Sequence, residues 1–342
     1  MKRLLVVLLV QLLRMVGSGV APGIEHMTMY DFDPAAQHTW LTMGKTDNVT
    51  LLDEAWTKYK LPSLIELTKS GPQSLWCFTN GTHNPLIPCG GRGSAEWDRR
   101  LQAFGAAMRP RLLSGACVGA FLGDELMAAW GLSWSDLSFV ADGLRQVLGP
   151  RALLYENDAF HEGLLTMPHV PRSLNFFSAD GDYGFLPFEG PTGIKAAYEQ
   201  HILDKLAPNQ SAFVIPGTYE CDGPKMEAPS GSYWGCVPGN STYDAFIATK
   251  LDKFVAWAAA EPRIAGINAW HYNNRCVSGG SDYQCGCATP QKACIGWNAS
   301  SAGTPAWWQA GAMSMPLTLD KLQAIGVGIK ASGGRGHHND SV

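Results

Sequence analysis

Blocks of like charge are what this sequence lacks. Only 16% of its 342 residues are charged, and beyond the first 21 residues no basic block of any length remains. The formal charge is −4, and it becomes −7 without Lys2, Arg3 and Arg14. Without a positive patch there is little to hold phosphate backbones or anionic headgroups, so neither nucleic acid nor a membrane surface is an expected partner. A long apolar run is also missing. The segment Leu4 to Leu13 is broken by Gln11 and is about half of the roughly 20 residues that cross a bilayer core. H-E-x-x-H, G-x-G-x-x-G after a strand, the P-loop and the G-x-S-x-G elbow are absent, so the common zincin, dinucleotide, nucleotide and serine-esterase signatures do not apply. No metal or cofactor is expected. Neither an internal repeat nor a Pro/Gly/Ser-rich linker divides the chain.

What is present points to export. Met1-Lys2-Arg3 is a short basic start, Leu4 to Leu13 an apolar stretch, and Gly17-Ser18-Gly19-Val20-Ala21 a run of small residues before Pro22. That order reads as a secretory signal peptide over residues 1–21, cleaved after Gly19 or Ala21. A single domain over 22–331 and a mobile tail over 332–342 complete the expected organisation. About 320 residues, in a sequence that is 46% hydrophobic, suit an α/β barrel with insertions. Nine cysteines fit an oxidising compartment. Cys117, inside a small apolar run, reads as the odd buried thiol. Cys77 groups with Cys89, Cys221 with Cys236, and Cys276, Cys285, Cys287 and Cys294 form a last cluster that allows three pairings. A four-thiolate zinc site competes for that cluster, but paired C-x-x-C knuckles are missing. Sequons at Asn48, Asn80, Asn209, Asn240, Asn298 and Asn339 fit a secreted glycoprotein surface.

From residue 94 onward helical and strand patterns alternate. Trp97, Leu101, Phe104, Met108 and Leu112 recur at helical spacing, as do Leu137, Val140, Leu144 and Leu148, then Ile194 to Leu206, and Ile247 to Ala258. Between them lie Ala116–Leu122, Ala152–Tyr155, Leu174–Phe177, Ala212–Ile215 and Ile264–Trp270, short apolar runs without polar alternation. A parallel sheet covered on both faces requires such strands. Counted backwards they are strands four to eight of a (β/α)8 barrel with long, disulfide-braced loops. Upstream, Met27–Phe32 is the expected first strand, Leu51–Tyr59 the first helix, Ser63–Leu67 the second strand and Leu75–Thr79 the third. An open doubly wound sheet is the alternative. A last helix spans about Leu317 to Ile329.

In such a barrel chemistry sits where the strands end. Strand four ends in Asp124-Glu125, five in Glu156-Asn157-Asp158, six in Asp180-Gly181-Asp182-Tyr183, seven leads to Tyr219-Glu220, and eight ends in Trp270-His271-Tyr272. Clustered carboxylates with aromatics are what glycosidic cleavage needs: one carboxyl protonates the leaving oxygen while another stabilises or attacks the oxocarbenium-like centre. Aromatic residues in the loops, among them Trp234 inside the Cys221–Cys236 bracket, offer faces for sugar stacking. Adjacent strand residues point to opposite faces, so Asp124 and Glu125 need not share a site.

Glutamates ending strands four and seven, with a tryptophan ending strand eight, resemble the clan A glycoside hydrolases. Phe121-Leu122-Gly123-Asp124-Glu125 is similar to that clan's strand-four segment. The resemblance covers about residues 95–272 and is one of placement. It implies Glu125 as general acid/base, Glu220 as nucleophile, Trp270 as sugar platform and Tyr183 as a hydrogen-bond partner of the nucleophile. The clan has Asn before its acid/base, where it binds the sugar 2-hydroxyl; this chain has Asp124. An aspartate can accept a bond from that hydroxyl, and its charge favours the protonated form of a neighbouring carboxyl. Asp124, Glu156, Asp180, Asp182, Tyr183, Trp234, Trp270 and His271 are the expected substrate-binding residues. The expectation is a monomeric, secreted hydrolase of O-glycosidic bonds acting on an oligosaccharide, polysaccharide or glycoconjugate. The alternatives are a non-catalytic carbohydrate-binding protein on the same barrel, and a secreted hydrolase of a non-sugar substrate.

Overall fold

Strands with no polar face must be covered on both sides, and the architecture provides that cover. The computed structural model describes residues 23–30, 32–67, 74–78, 86–180, 188–191, 193–217, 220–222, 241–270, 275–278, 281–284, 307–310 and 315–332. Eight strands form the central sheet: β1 (His26–Met29), β2 (Gly44–Thr46), β3 (Ser63–Glu66), β4 (Cys117–Asp124), β5 (Leu153–Ala159), β6 (Phe176–Asp180), β7 (Ser211–Val214) and β8 (Ile264–Ala269). They run β1-β8-β7-β6-β5-β4-β3-β2 around the sheet, each paired neighbour parallel. The seam between β1 and β2 is drawn together by the chain just before β2. Thr42 and Met43 donate their N–H groups to Met27 O at 3.1 and 3.2 Å, and Met27 N–H donates to Thr42 Oγ1 at 2.7 Å. The result is a (β/α)8-type barrel rather than an open sheet.

The helices around it are α1 (Pro34–Gln37), α2 (Val49–Tyr59), α3 (Ala95–Ser114), α4 (Trp134–Leu148), α5 (Glu162–Thr166), α6 (Ile194–His201), α7 (Ser241–Ala260) and α8 (Pro316–Ala331). Local chemistry sets their ends. Asn48, Ser94 and Ser133 accept backbone N–H bonds at the starts of α2, α3 and α4, satisfying donors the helix leaves open. Gly115, at φ 81°, stops α3 in the left-handed conformation. No helix among the described residues is long and apolar enough to cross a membrane.

Two upstream expectations need correction. The second barrel strand is Gly44–Thr46, so the helix at Val49–Tyr59 follows strand two rather than strand one. Ser63–Glu66 is the third strand. Trp76–Phe78 instead pairs antiparallel with Leu86–Pro88 in a hairpin outside the barrel sheet. The two errors cancel, and β4 to β8 keep the numbers expected of them. The same hairpin carries the Cys77–Cys89 disulfide, and Cys117 is a buried free thiol. The expected signal peptide, the expected tail beyond Ser332, Cys236 and three of the four last cysteines lie outside the described residues.

The core has two parts. Leu52, Trp97, Leu101, Leu137, Val140, Phe177 and Phe254 belong to a large cluster between sheet and helices. Met43, Leu64, Phe121, Leu153, Tyr155, Phe176 and Phe213 fill the barrel interior, making it a packed plug rather than a pore. Helix α8 closes the wall near the seam by backbone approach: a Cβ added at Gly326 would lie 2.2 Å from Trp40 O. Gly326→Ala is therefore expected to destabilise the fold by about 1–3 kcal/mol. A thermal melt checks this, and an unchanged midpoint contradicts the close approach.

Candidate active site

The site begins with a change of register in β4. Phe121 pairs with Tyr155, but the next pairing is Asp124 with Asn157, so three residues of β4 are matched by two of β5. A bulge of this kind re-aims the side chains beyond it. Phe121 faces the interior. Regular alternation would send Asp124 outward; the extra residue returns it to the lumen. There its Oδ1 accepts the Tyr30 hydroxyl at 2.5 Å and Asn157 Nδ2–H at 2.7 Å.

Asn157 joins two carboxylates. Its Nδ2 also donates to Asp180 Oδ2 at 3.0 Å, and its Oδ1 accepts the Ser178 hydroxyl at 2.7 Å. Because Ser178 spends its proton there, the 2.7 Å contact between Tyr155 and Ser178 has Tyr155 as donor. Asn268 Nδ2 in turn donates to the Tyr155 oxygen at 2.8 Å. The relay runs one way through the barrel, Asn268 to Tyr155 to Ser178 to Asn157, and delivers donors to Asp124 and Asp180. Asn157, Ser178, Tyr155 and Asn268 are all buried. Burial, then the Asp124 carboxylate, pushes the Tyr30 phenol well above its ordinary value. It therefore remains a donor at any working pH.

Two further groups close on Tyr30. The Trp270 ring meets it edge-on, with centroids 4.6 Å apart. Trp270 is fixed where β7 and β8 extend past their last regular pair, through the Gly217 bridge and its N–H bond to Pro216 O at 3.0 Å. On the other side the buried Lys45 ammonium lies 3.0 Å from the Tyr30 ring centroid and 4.1 Å from that of Phe121. A cation over these rings is favoured electrostatically, and it offsets part of the negative charge gathered at the rim.

Glu125 is the first residue past β4 and sits at φ 51°. A non-glycine residue in this region is uncommon and costs of order 1–3 kcal/mol, and such positions cluster at functional sites. Surrounding bonds hold it there. Glu125 N–H donates to Asn157 O at 2.9 Å, and Glu125 O accepts Ala129 N–H at 2.8 Å.

Of the sequence-predicted residues, Asp124, Asp180 and Trp270 are brought together around Tyr30 and Asn157, with Glu125 adjoining. Glu156 is not brought to this group. Its strand continues to Ala159, which makes it a mid-strand residue on the same face as Leu154 of the sheet–helix core. It is wholly buried, with Asp158 as its neighbour on the same strand face. For Glu220 the backbone is described: it opens the strand Glu220–Asp222, which pairs antiparallel with Trp307–Ala310. That strand belongs to a four-stranded sheet with Arg275–Ser278 and Ser281–Gln284, built from the segments after β7 and β8. Asp182, Tyr183, Trp234 and His271 lie outside the described residues. Tyr30, Lys45 and the Asn268–Tyr155–Ser178 relay are contributors that sequence reading missed. Among the described residues no group of three or more His, Cys, Asp or Glu side chains is arranged to hold a metal ion.

Glu156 has a measurable consequence. Burial, then the charges of Asp158, Asp124 and Asp180, raises its carboxyl well above the ordinary range. The folded chain therefore keeps a proton that the unfolded chain releases, and stability falls as pH rises above the usual carboxylate range. Glu156→Gln removes the linkage. The variant's stability advantage should be near zero at pH 4 and widen by at most about 1.4 kcal/mol per pH unit until the buried carboxyl ionises. Denaturant titrations from pH 4 to 8 check this; a flat difference contradicts a neutral Glu156.

No family model matches the chain, and no curated protein does. Solved structures with some similarity include a mutant of P. fluorescens subsp. cellulosa xylanase A in complex with xylopentaose. It is 10% identical, with 87% of this chain and 97% of that chain covered and a TM-score of 0.48. A psychrophilic glycoside hydrolase family 10 endo-beta-1,4-xylanase is 9% identical over 72% of this chain and 86% of that one, at 0.43. The Parabacteroides merdae beta-glucuronidase is 9% identical over 70% of this chain, at 0.42, and this chain spans 28% of its length. At such identities and scores the likenesses do not carry an assignment, which rests on the chain's own strand ends.

Proposed function

We propose that this chain is an exported glycoside hydrolase that cleaves O-glycosidic bonds in an oligosaccharide, polysaccharide or glycoconjugate with retention of configuration. Glu125 is the general acid/base and Glu220 the nucleophile. One observation carries the reading: Asp124, Asp180 and Trp270 gather around Tyr30 at the carboxyl ends of a parallel barrel, immediately beside Glu125 in its left-handed conformation. In this reading Glu125 protonates the departing oxygen while Glu220 attacks the anomeric carbon. Water then releases the sugar, with Glu125 taking its proton. Asp124 and Asp180, fed with donors by Asn157, keep a fixed negative potential at the rim. That potential favours the positive charge developing on the sugar ring. Trp270 offers an aromatic face to the ring.

The test is a glycan and aryl-glycoside panel assayed with wild type, Glu125→Gln and Glu220→Gln. Turnover by wild type that is lost in both variants, with sugar binding retained, supports the enzyme. Binding without turnover by wild type favours a carbohydrate-binding protein on the same barrel.

A further inference from the structure

The turn that carries Glu125 is held by a second acidic residue facing away from the lumen. Asp158 lies two residues past Glu156 on the outer face of β5 and is wholly buried. Its Oδ2 accepts Met127 N–H at 2.9 Å and its Oδ1 accepts Ala128 N–H at 3.0 Å. Oδ1 also accepts the N–H of Ala159 at 2.8 Å. Both oxygens of this carboxyl group are thus committed to backbone N–H donors.

Behind Asp158 stands His161, whose Nε2 is 3.2 Å from Oδ1. The imidazole is fixed from its other side, because Nδ1 accepts Gly163 N–H at 3.1 Å as the cap of α5. The proton of a neutral ring is thereby on Nε2, facing Asp158. Glu156, on the same strand face, is pushed toward its neutral form by burial and then by the neighbouring Asp158.

Buried carboxylates with this many backbone donors cost much to remove and move little. Here the donors belong to the two residues that follow Leu126, one position beyond Glu125. We infer that Asp158 is the positioning residue for the acid/base: by binding the amides of Met127 and Ala128 it fixes the strained turn that aims Glu125. This inference rests on the glycosidase reading. Asp158 touches no part of the lumen group and acts only through the turn.

Asp158→Asn tests it. The amide keeps one accepting oxygen and puts an NH2 group against the other backbone N–H, so half of the clamp becomes a donor facing a donor. Misplacing a reacting group by about 1 Å costs up to roughly 100-fold in rate. For substrates whose leaving group needs a proton, kcat should fall about 10- to 100-fold with KM nearly unchanged. For aryl glycosides with a strongly acidic leaving group, kcat/KM, which reports the first step, should change little, because no proton donor is required for departure. A merely structural loss would lower both alike. Residue-level amide exchange should show Met127 and Ala128 about tenfold faster, while Glu125 N–H, bonded to Asn157 O, serves as the internal control. Equal loss on both substrate classes, or unchanged exchange at Met127 and Ala128, overturns the role of Asp158 and leaves the glycosidase reading standing. Absence of turnover by the wild type overturns that reading and this one with it.

Discussion

Glu125→Gln is expected to lower kcat by about 10²- to 10⁴-fold on natural glycosides, the range that a general acid/base contributes. The side chain keeps its size and loses the proton. Glu125 sits beyond β4, with its backbone tied to Asn157 and Ala129, so the substitution leaves the fold intact and the thermal midpoint within a degree or two. The loss should depend on the leaving group. An alcohol departs slowly as an alkoxide unless it is protonated, whereas a dinitrophenolate departs unaided. The first step for an activated aryl glycoside should therefore be nearly as fast in the variant as in wild type. Equal loss on both substrate classes would mean that Glu125 is not the acid, and would turn attention to Asp124 beside it.

The second large effect is on stability. Asn157→Leu keeps roughly the same volume but removes the amide that links Asp124, Asp180 and Ser178. Tyr30 still serves Asp124, so that carboxylate keeps the phenol as a donor. Asp180 loses the 3.0 Å bond from Asn157, and the Ser178 proton loses its acceptor. Each buried polar group deprived of its partner costs about 1–3 kcal/mol, more when charged. A total near 3–5 kcal/mol is expected, or a fall of roughly 10 °C in Tm. Circular dichroism melts of variant and wild type measure it. A fall of only a degree or two would mean that the relay from Asn268 is not a structural unit of the barrel.

The reach of the sequence differs along the chain for physical reasons. Strands β4 to β8 are apolar runs between amphipathic helices, so period alone identifies them, and the acids that follow them mark the rim. Gly44-Lys45-Thr46 offers no such run. A three-residue strand containing lysine reads as a turn, and Lys45 escaped notice with it. Trp76–Phe78 is a strand, as its composition says, but composition does not name a partner, and the partner is Leu86–Pro88. Glu156 reads as a rim residue because the apolar run stops at Tyr155. The strand runs on to Ala159, and its outer face is buried enough to take a neutral carboxyl. Asp124 shows the converse. Alternation makes it and Glu125 a divided pair, and only the bulge opposite Asn157 turns Asp124 into the lumen. A bulge is a property of two strands, and one strand's sequence does not reveal it.

The central claim is the proposal that the rim of this barrel performs retaining glycoside hydrolysis with Glu125 and Glu220, a mechanism that requires its two carboxyl groups about 5 Å apart. Proton NMR of the first sugar released by the wild type tests it most directly, on an aryl glycoside identified by the panel and before the product mutarotates. The account predicts a product with the same anomeric configuration as the substrate. An inverted first product would contradict it, because inversion needs carboxyl groups about 6.5–9.5 Å apart with water between them.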